Sequence, residues 1–185
     1  MAELWPKERM MKDFKAACCV YCYMGCEDMF SQTANSDSVK VIVPYRIRRE
    51  KDRGKWVDNK IKLMPGYAFV YADDMAIIAE AIRGYKVHLL SYSDGDSILH
   101  GTDLEFARWV FNNGGVIGVS AAIHEQDKIR IVTGALKDSE GMIVQIDRRH
   151  MLAKVELKIG LRVWLSYDWL DRMERENGEA DNADN

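Results

Sequence analysis

The apolar positions change period along the chain, and the changes mark elements. Residues 17–24 form a short apolar run ended by Gly25, which predicts a central strand. Behind Glu27 and Asp28, Cys26, Met29, Phe30 and Thr33 recur at helical spacing until Asn35 and Ser36. Val39 to Val43 is short and β-branched, hence a strand, and a polar stretch containing Gly54 follows. Ile61 to Tyr71 resumes as a strand, with Pro65 confined to its start or to an edge. Asp73 and Asp74 cap a second helix whose Met75, Ile78, Ala79 and Ile82 make one stripe before Gly84. Lys86 to Leu90 predicts a further strand. The capping box Thr102-x-x-Glu105 opens a last helix with Phe106, Trp109 and Val110 on one face, stopped by Gly114 and Gly115. The order β-α-β-β-α-β plus a helix is a split βαβ, or ferredoxin-like, arrangement over residues 16–113.

Past a Gly-rich passage the period becomes two. Residues 128–132, 142–146, 153–159 and 161–167 read as four short strands separated by Gly134, Gly141 and Gly160. Strict alternation in 153–159 and 161–167 gives each strand one buried and one wet face, and so few short strands bury those faces best as a small barrel. The fold class expected is α+β. A split βαβ domain (16–113) precedes a small β-barrel (127–170), with 114–126 as linker, 1–15 as an N-terminal extension and 171–185 as an acidic tail.

Composition narrows the function classes. Apolar residues make up 48% of the 185, enough to close a core, so disorder of the whole chain is excluded. No apolar run reaches membrane-span length, and the mixed charges of the first nine residues do not read as a signal peptide. A cytoplasmic protein with no membrane partner is expected. The net charge of −3 hides a partition, because residues 40–62 carry nine bases against three acids, as a solvated hairpin tip or as a nucleic-acid contact. From Asp171 on there are six acids and two bases, so of the 26 bases and 29 acids residues 1–170 keep 24 and 23.

Candidate chemistry is thin. Cys18, Cys19, Cys22 and Cys26 lie within nine residues, but no second pair or nearby histidine completes a zinc set, and they read as strand thiols. The segment Ser93-Asp-Gly-Asp-Ser97 lacks the third acid and the Gly of a calcium loop. Nucleophile-elbow, P-loop, dinucleotide and H-E-x-x-H motifs are missing, and His88, His100, His124 and His150 are scattered. No enzymatic activity, cofactor or metal is expected. Binding features are stronger. The turn at Asp147–Lys154 holds Arg148, Arg149, His150 and Lys154, with Lys137 in the preceding turn, a set suited to phosphates, the alternative being an ordinary solvated turn. Tyr67, Phe69 and Tyr71 share one strand face, as core or as an interface patch.

Two stretches carry a resemblance. Leu63-Met-Pro-Gly-Tyr-Ala-Phe-Val70 is similar to the P-G-Y-x-F-V strand of the NusG N-terminal (NGN) domain. Residues Ile131 to Asp147 resemble the KOW motif of its C-terminal SH3-like barrel, with Ala135 where the family has Pro and Asp138 where it has Gly. The resemblance covers about residues 17–170, its two motifs falling in the two domains in the family's order, and Ile146-Asp-Arg-Arg-His150 followed by Ala153-Lys-Val155 is similar to the specialised LoaP-type antiterminators. The resemblance implies a monomeric transcription elongation and processive antitermination factor. Its N-terminal domain would dock on the RNA polymerase β′ clamp helices through Tyr67 and Phe69. Residues 75–77 would face the opposite side of the cleft, a looser match. Its KOW domain would bind a nascent RNA hairpin through Lys137, Arg148, Arg149, His150 and Lys154, with non-template DNA as a further contact. The alternatives are a ribosome-associated KOW protein and a general NusG elongation factor.

Overall fold

The computed structural model describes residues 13–125, 128–137, 143–156 and 162–175. In chain order its elements are β1 (Ala16–Cys22), a 3-10 turn (Tyr23–Gly25), α1 (Glu27–Ala34), β2 (Val39–Ile42), β3 (Tyr45–Asp52), β4 (Lys55–Lys62) and β5 (Tyr67–Ala72). There follow α2 (Met75–Ile82), β6 (Val87–Leu89), α3 (Gly101–Asn112), β7 (Val116–Ile117), β8 (Ser120–Glu125) and β9 (Lys128–Thr133). Last come β10 (Ile143–Asp147), β11 (Leu152–Glu156) and β12 (Arg162–Trp169). The content is mixed, as an α+β protein requires, and the chain divides into two units, 1–44 with 64–115 and 45–63 with 116–185. No helix among the described residues is long and apolar enough to cross a membrane.

The first unit is built on a sheet of order β2-β5-β1-β6, antiparallel at every pairing. Registering Ala17 opposite Tyr71, Cys19 opposite Phe69 and Tyr21 opposite Tyr67 puts these six on one face. There α3 covers them: the Phe69 ring lies 5.7 Å from Phe106, Tyr71 lies 5.0 Å from Phe111, and the Tyr71 hydroxyl donates to the Ala107 carbonyl at 2.8 Å. Cys18, Val20, Val70 and Ala72 occupy the opposite face, where α1 and α2 pack and the Cys18 thiol meets Met75 Sδ at 3.3 Å. A strand covered on both sides must be apolar at every position, and β1 is buried from Ala16 to Val20.

The second unit holds a five-stranded sheet of order β10-β11-β12-β8-β9 and a three-stranded sheet of order β4-β3-β7. Along β12 the expected single wet face is absent beyond Trp164: Val163, Leu165 and Tyr167 are buried on one face, and Ser166 and Asp168 are buried on the other. Gly134 (φ +90) lies so close to β8 that a Cβ there would sit 2.6 Å from Ser120 Oγ, the same hydroxyl that accepts from the Leu136 backbone N–H at 3.0 Å.

Several expectations change. Ile61–Tyr71 is not one strand, because Pro65 offers no N–H and Gly66 adopts φ +88, so a Met64–Tyr67 turn separates β4 from β5. The polar stretch before it is a full hairpin, and it groups with the second unit rather than with 16–113. Residues 114–126 do not form a mere linker: β8 lies within them, paired with β9 and β12, and its Ser120, Ala121 and Ala122 are buried. The Thr102 capping box is unused, since α3 begins at Gly101 with His100 as N-cap. Asp74 caps α2 as expected, accepting from the Ile77 backbone N–H at 3.0 Å. Residues 1–12 of the extension, 138–142 of the KOW-like stretch, 157–161 of the last two strands and 176–185 of the acidic tail lie outside the described residues.

Candidate functional site

In the first unit the Pro65-Gly66-Tyr67 sequence builds a surface. The buried Glu27 carboxylate accepts from the Gly66 backbone N–H at 2.7 Å, and the Gly66 carbonyl accepts from Cys22 at 2.7 Å. A Cβ on Gly66 would come within 3.0 Å of the Tyr21 ring, so glycine is needed for both its φ and its closeness. The turn thereby sets Tyr67 against Tyr21, with ring centroids 5.4 Å apart, and Tyr23 lies 5.2 Å on the other side of Tyr21. Tyr21 and Tyr23 are 36% and 48% exposed, Tyr67 is half-buried, and His88 stands beside Tyr21 on β6. The sheet face that α3 covers thus continues into three edge-to-face tyrosines in solvent, an arrangement favoured at protein interfaces.

Phe69 belongs to a different environment. It is 3% exposed and packed between Tyr71 and Phe106, so it supports the patch from within the core and presents no surface to a partner. Of Tyr67 and Phe69, Tyr67 alone reaches the surface, and it does so beside Tyr21 and Tyr23. Sequence reasoning missed those two because their proximity to Tyr67 depends on strand register, although their alternation with Cys22 was visible.

The second unit carries the basic turn. Asp147 pairs with Leu152 across β10 and β11, leaving 148–151 as the loop. Asp147 Oδ1 accepts from the His150 backbone N–H at 3.0 Å and Oδ2 faces His150 Nδ1 at 2.8 Å. These bonds from His150 hold the Asp147 carboxyl below its ordinary range. Met151 adopts φ 51 and is buried, anchoring the loop while Arg148, Arg149 and His150 stay exposed. Lys154 lies over the Trp164 ring at 5.5 Å, its cross-strand partner on β12. Lys137 is exposed after the Gly134 turn. The structure brings Arg148, Arg149 and His150 into one loop and sets Lys154 on the adjoining strand; no contact joins Lys137 to them.

Cys18 and Cys19 sit deep in β1. Burial pushes the Cys18 and Cys19 thiols up to about 12, so neither is a thiolate at neutral pH. Among the described residues no group of three or more His, Cys, Asp or Glu side chains is placed to hold a metal ion. No protein-family model matches the chain, and no curated protein matches it significantly.

Proposed function

We propose that the chain is a NusG-type transcription elongation and antitermination factor, of the NGN plus KOW architecture, acting in the cytoplasm without enzymatic chemistry. The strand order β2-β5-β1-β6 with helices between is what a split βαβ domain requires, and it supports the NGN reading of the first unit. The close approach of Gly134 to Ser120 gives a physical reason for glycine in the KOW-like stretch. The observation that carries the proposal is the exposed Tyr21–Tyr23–Tyr67 patch raised by the Pro65-Gly66-Tyr67 turn. In this reading the patch docks on the β′ clamp helices, and the Arg148–His150 loop with Lys154 takes the backbone of a nascent RNA hairpin. Bound to polymerase in its closed state more tightly than in its open one, the factor shifts the population away from pausing and termination.

The test is affinity capture from cells with the tagged full chain. RNA polymerase should co-purify, and Tyr21→Ala with Tyr67→Ala should remove it while the circular dichroism spectrum stays native. Recovery of ribosomes instead of polymerase would replace this reading with that of a ribosome-associated RNA-binding protein.

A further inference from the structure

We propose that the β3–β4 hairpin is a second nucleic-acid surface of the same unit, and that its occupant is the phosphate backbone of a base-paired RNA stem. The choice of RNA rests on the reading of the Arg148–Lys154 region given above.

Residues 45–62 hold eight bases (Arg46, Arg48, Arg49, Lys51, Arg53, Lys55, Lys60 and Lys62) against three acids, a net +5. Two of the acids are already committed: Glu50 pairs with Arg48 at 2.6 Å, and Asp58 faces Arg49 at 3.5 Å. The third, Asp52, lies at the far end, where the exposed Lys51, Arg53 and Lys55 around a two-residue turn still leave a net +2. Arg53 (φ 45) and Gly54 (φ 87) both take the left-handed conformation, the type I′ geometry that matches the twist of paired strands. With unbroken register from Tyr45–Lys62 to Asp52–Lys55, the arm carries its tip charges on a fixed frame about 25 Å long.

The arm is tied along its length to β12 and the residues after it. Arg49 reaches the fully buried Asp168 at 2.7 Å, Arg46 donates to the Trp164 carbonyl at 2.5 Å, and the Arg172 guanidinium lies 5.2 Å over Trp56. Trp164 thus has Arg46 of the arm on its carbonyl and Lys154, which flanks the Arg148–His150 loop, over its ring. Basic side chains run from the loop through Lys154 and Arg46 into the arm. The arm's own rings are occupied, Tyr45 beneath Lys60 at 4.1 Å and Trp56 beneath Arg172, which leaves few faces on which unpaired bases could stack. Charge without stacking favours a duplex backbone, and A-form RNA is read in that way.

The experiment is a salt titration by fluorescence anisotropy with the full chain. The probe is a fluorescein-labelled RNA hairpin with a stem of about 16 base pairs, run beside the same sequence as DNA and a single-stranded RNA of equal length. Lys51→Ala/Arg53→Ala/Lys55→Ala should flatten the slope of log K against log salt by about 2–3 on the RNA hairpin, and Arg148→Ala/Arg149→Ala by about 1.5. Both variants should keep the wild-type thermal midpoint, since all five side chains are exposed. If the loop variant weakens binding and the arm variant does not, the arm proposal falls and the functional reading stands. Failure of the wild-type protein to bind the RNA hairpin overturns both. An equal or larger effect of the arm variant on the DNA hairpin would assign the arm to DNA, and one on single-stranded RNA would remove the stem.

Discussion

In the first unit, what reaches full burial between sheet and helices is mostly carbon and sulfur: Cys18, Val20, Phe30, Val70 and Ile78, with the Tyr71 hydroxyl spent on a backbone carbonyl. In the second unit Ser166 and Asp168 are as buried as Leu165 and Tyr167 beside them, and two arginines converge on the carboxylate, Arg49 at 2.7 Å and Arg172 at 3.3 Å. The contrast follows from what each sheet face has for cover. Helices with apolar stripes cover the first sheet, whereas the outer face of β12 meets a hairpin too rich in charge to be buried without counter-charge. An apolar face tolerates sliding, while an ion pair fixes one partner against another, so the second unit gains a defined seat for its arm. Among the described residues of the first unit Glu27 is the comparable group, and it too fixes geometry, at the Gly66 turn beneath the tyrosine patch.

Breaking either interior should have the largest effect. Asp168→Ala takes the nearer carboxylate from Arg49, whose side chain is only 9% exposed, and leaves it the half-exposed Asp58 at 3.5 Å, at an expected loss of about 3 kcal/mol. Phe69→Ala should cost a similar amount, about 3–5 kcal/mol, in the first unit by leaving a cavity. Urea unfolding followed by tryptophan fluorescence measures both. An Asp168→Ala variant within error of wild type would remove the distinction between the two interiors.

Which parts were legible in the sequence follows from the same physics. Helices α1 and α2 and strands β1, β2 and β6 announce themselves through local period and caps, because their partners do not alter which residues are apolar. The β3–β4 hairpin was legible as a basic hairpin tip but not as two full strands: its burial pattern is intermediate or exposed throughout, so no period-two signal marks their extent. Strand β8 was hidden for the opposite reason, its Ser120, Ala121 and Ala122 being small residues that pair closely and lack the bulk that signals a core. At the sites, the basic loop is local and readable, whereas the tyrosine patch and the Asp168 seat join residues 46 and 119 positions apart. Only the fold makes them neighbours.

The exposed tyrosines sharpen the contrast between surface and core within the first unit. Tyr21→Ala and Tyr67→Ala should each weaken polymerase binding by about 2 kcal/mol, as truncated aromatic anchors do. Their stability losses should be well below that of Phe69→Ala. Surface plasmon resonance on immobilised polymerase and thermal melts of the same samples give both values. Losses of stability as large as that of Phe69→Ala would place the tyrosines in the core.

A smaller effect is expected from the one hydroxyl that the first interior accommodates. Tyr71→Phe keeps the ring between Phe69 and Phe111 and removes only the 2.8 Å bond to the Ala107 carbonyl. The expected cost is about 1 kcal/mol, read from the urea midpoint at constant slope.

At neutral pH the smallest effect is that of the thiols, which should do nothing until the medium turns alkaline. Burial raises Cys18 and Cys19 from 9.0 to about 12 in the folded chain, with Asp96 adding to the first and Cys22 to the second. The folded state then holds protons that the unfolded state releases first, and stability rises with pH only where the unfolded state binds more protons. The contribution is therefore fully present below about 9 and is lost as pH climbs toward about 12. Lysines and tyrosines titrate in the same window, so the comparison that isolates the thiols is Cys18→Ala/Cys19→Ala against wild type. The variant should be somewhat less stable at pH 7 but should lose stability less steeply above pH 9, measured by urea unfolding at each pH. Parallel slopes for the two proteins would mean that these sulfurs are solvated in the folded state, contrary to an interior closed by carbon and sulfur.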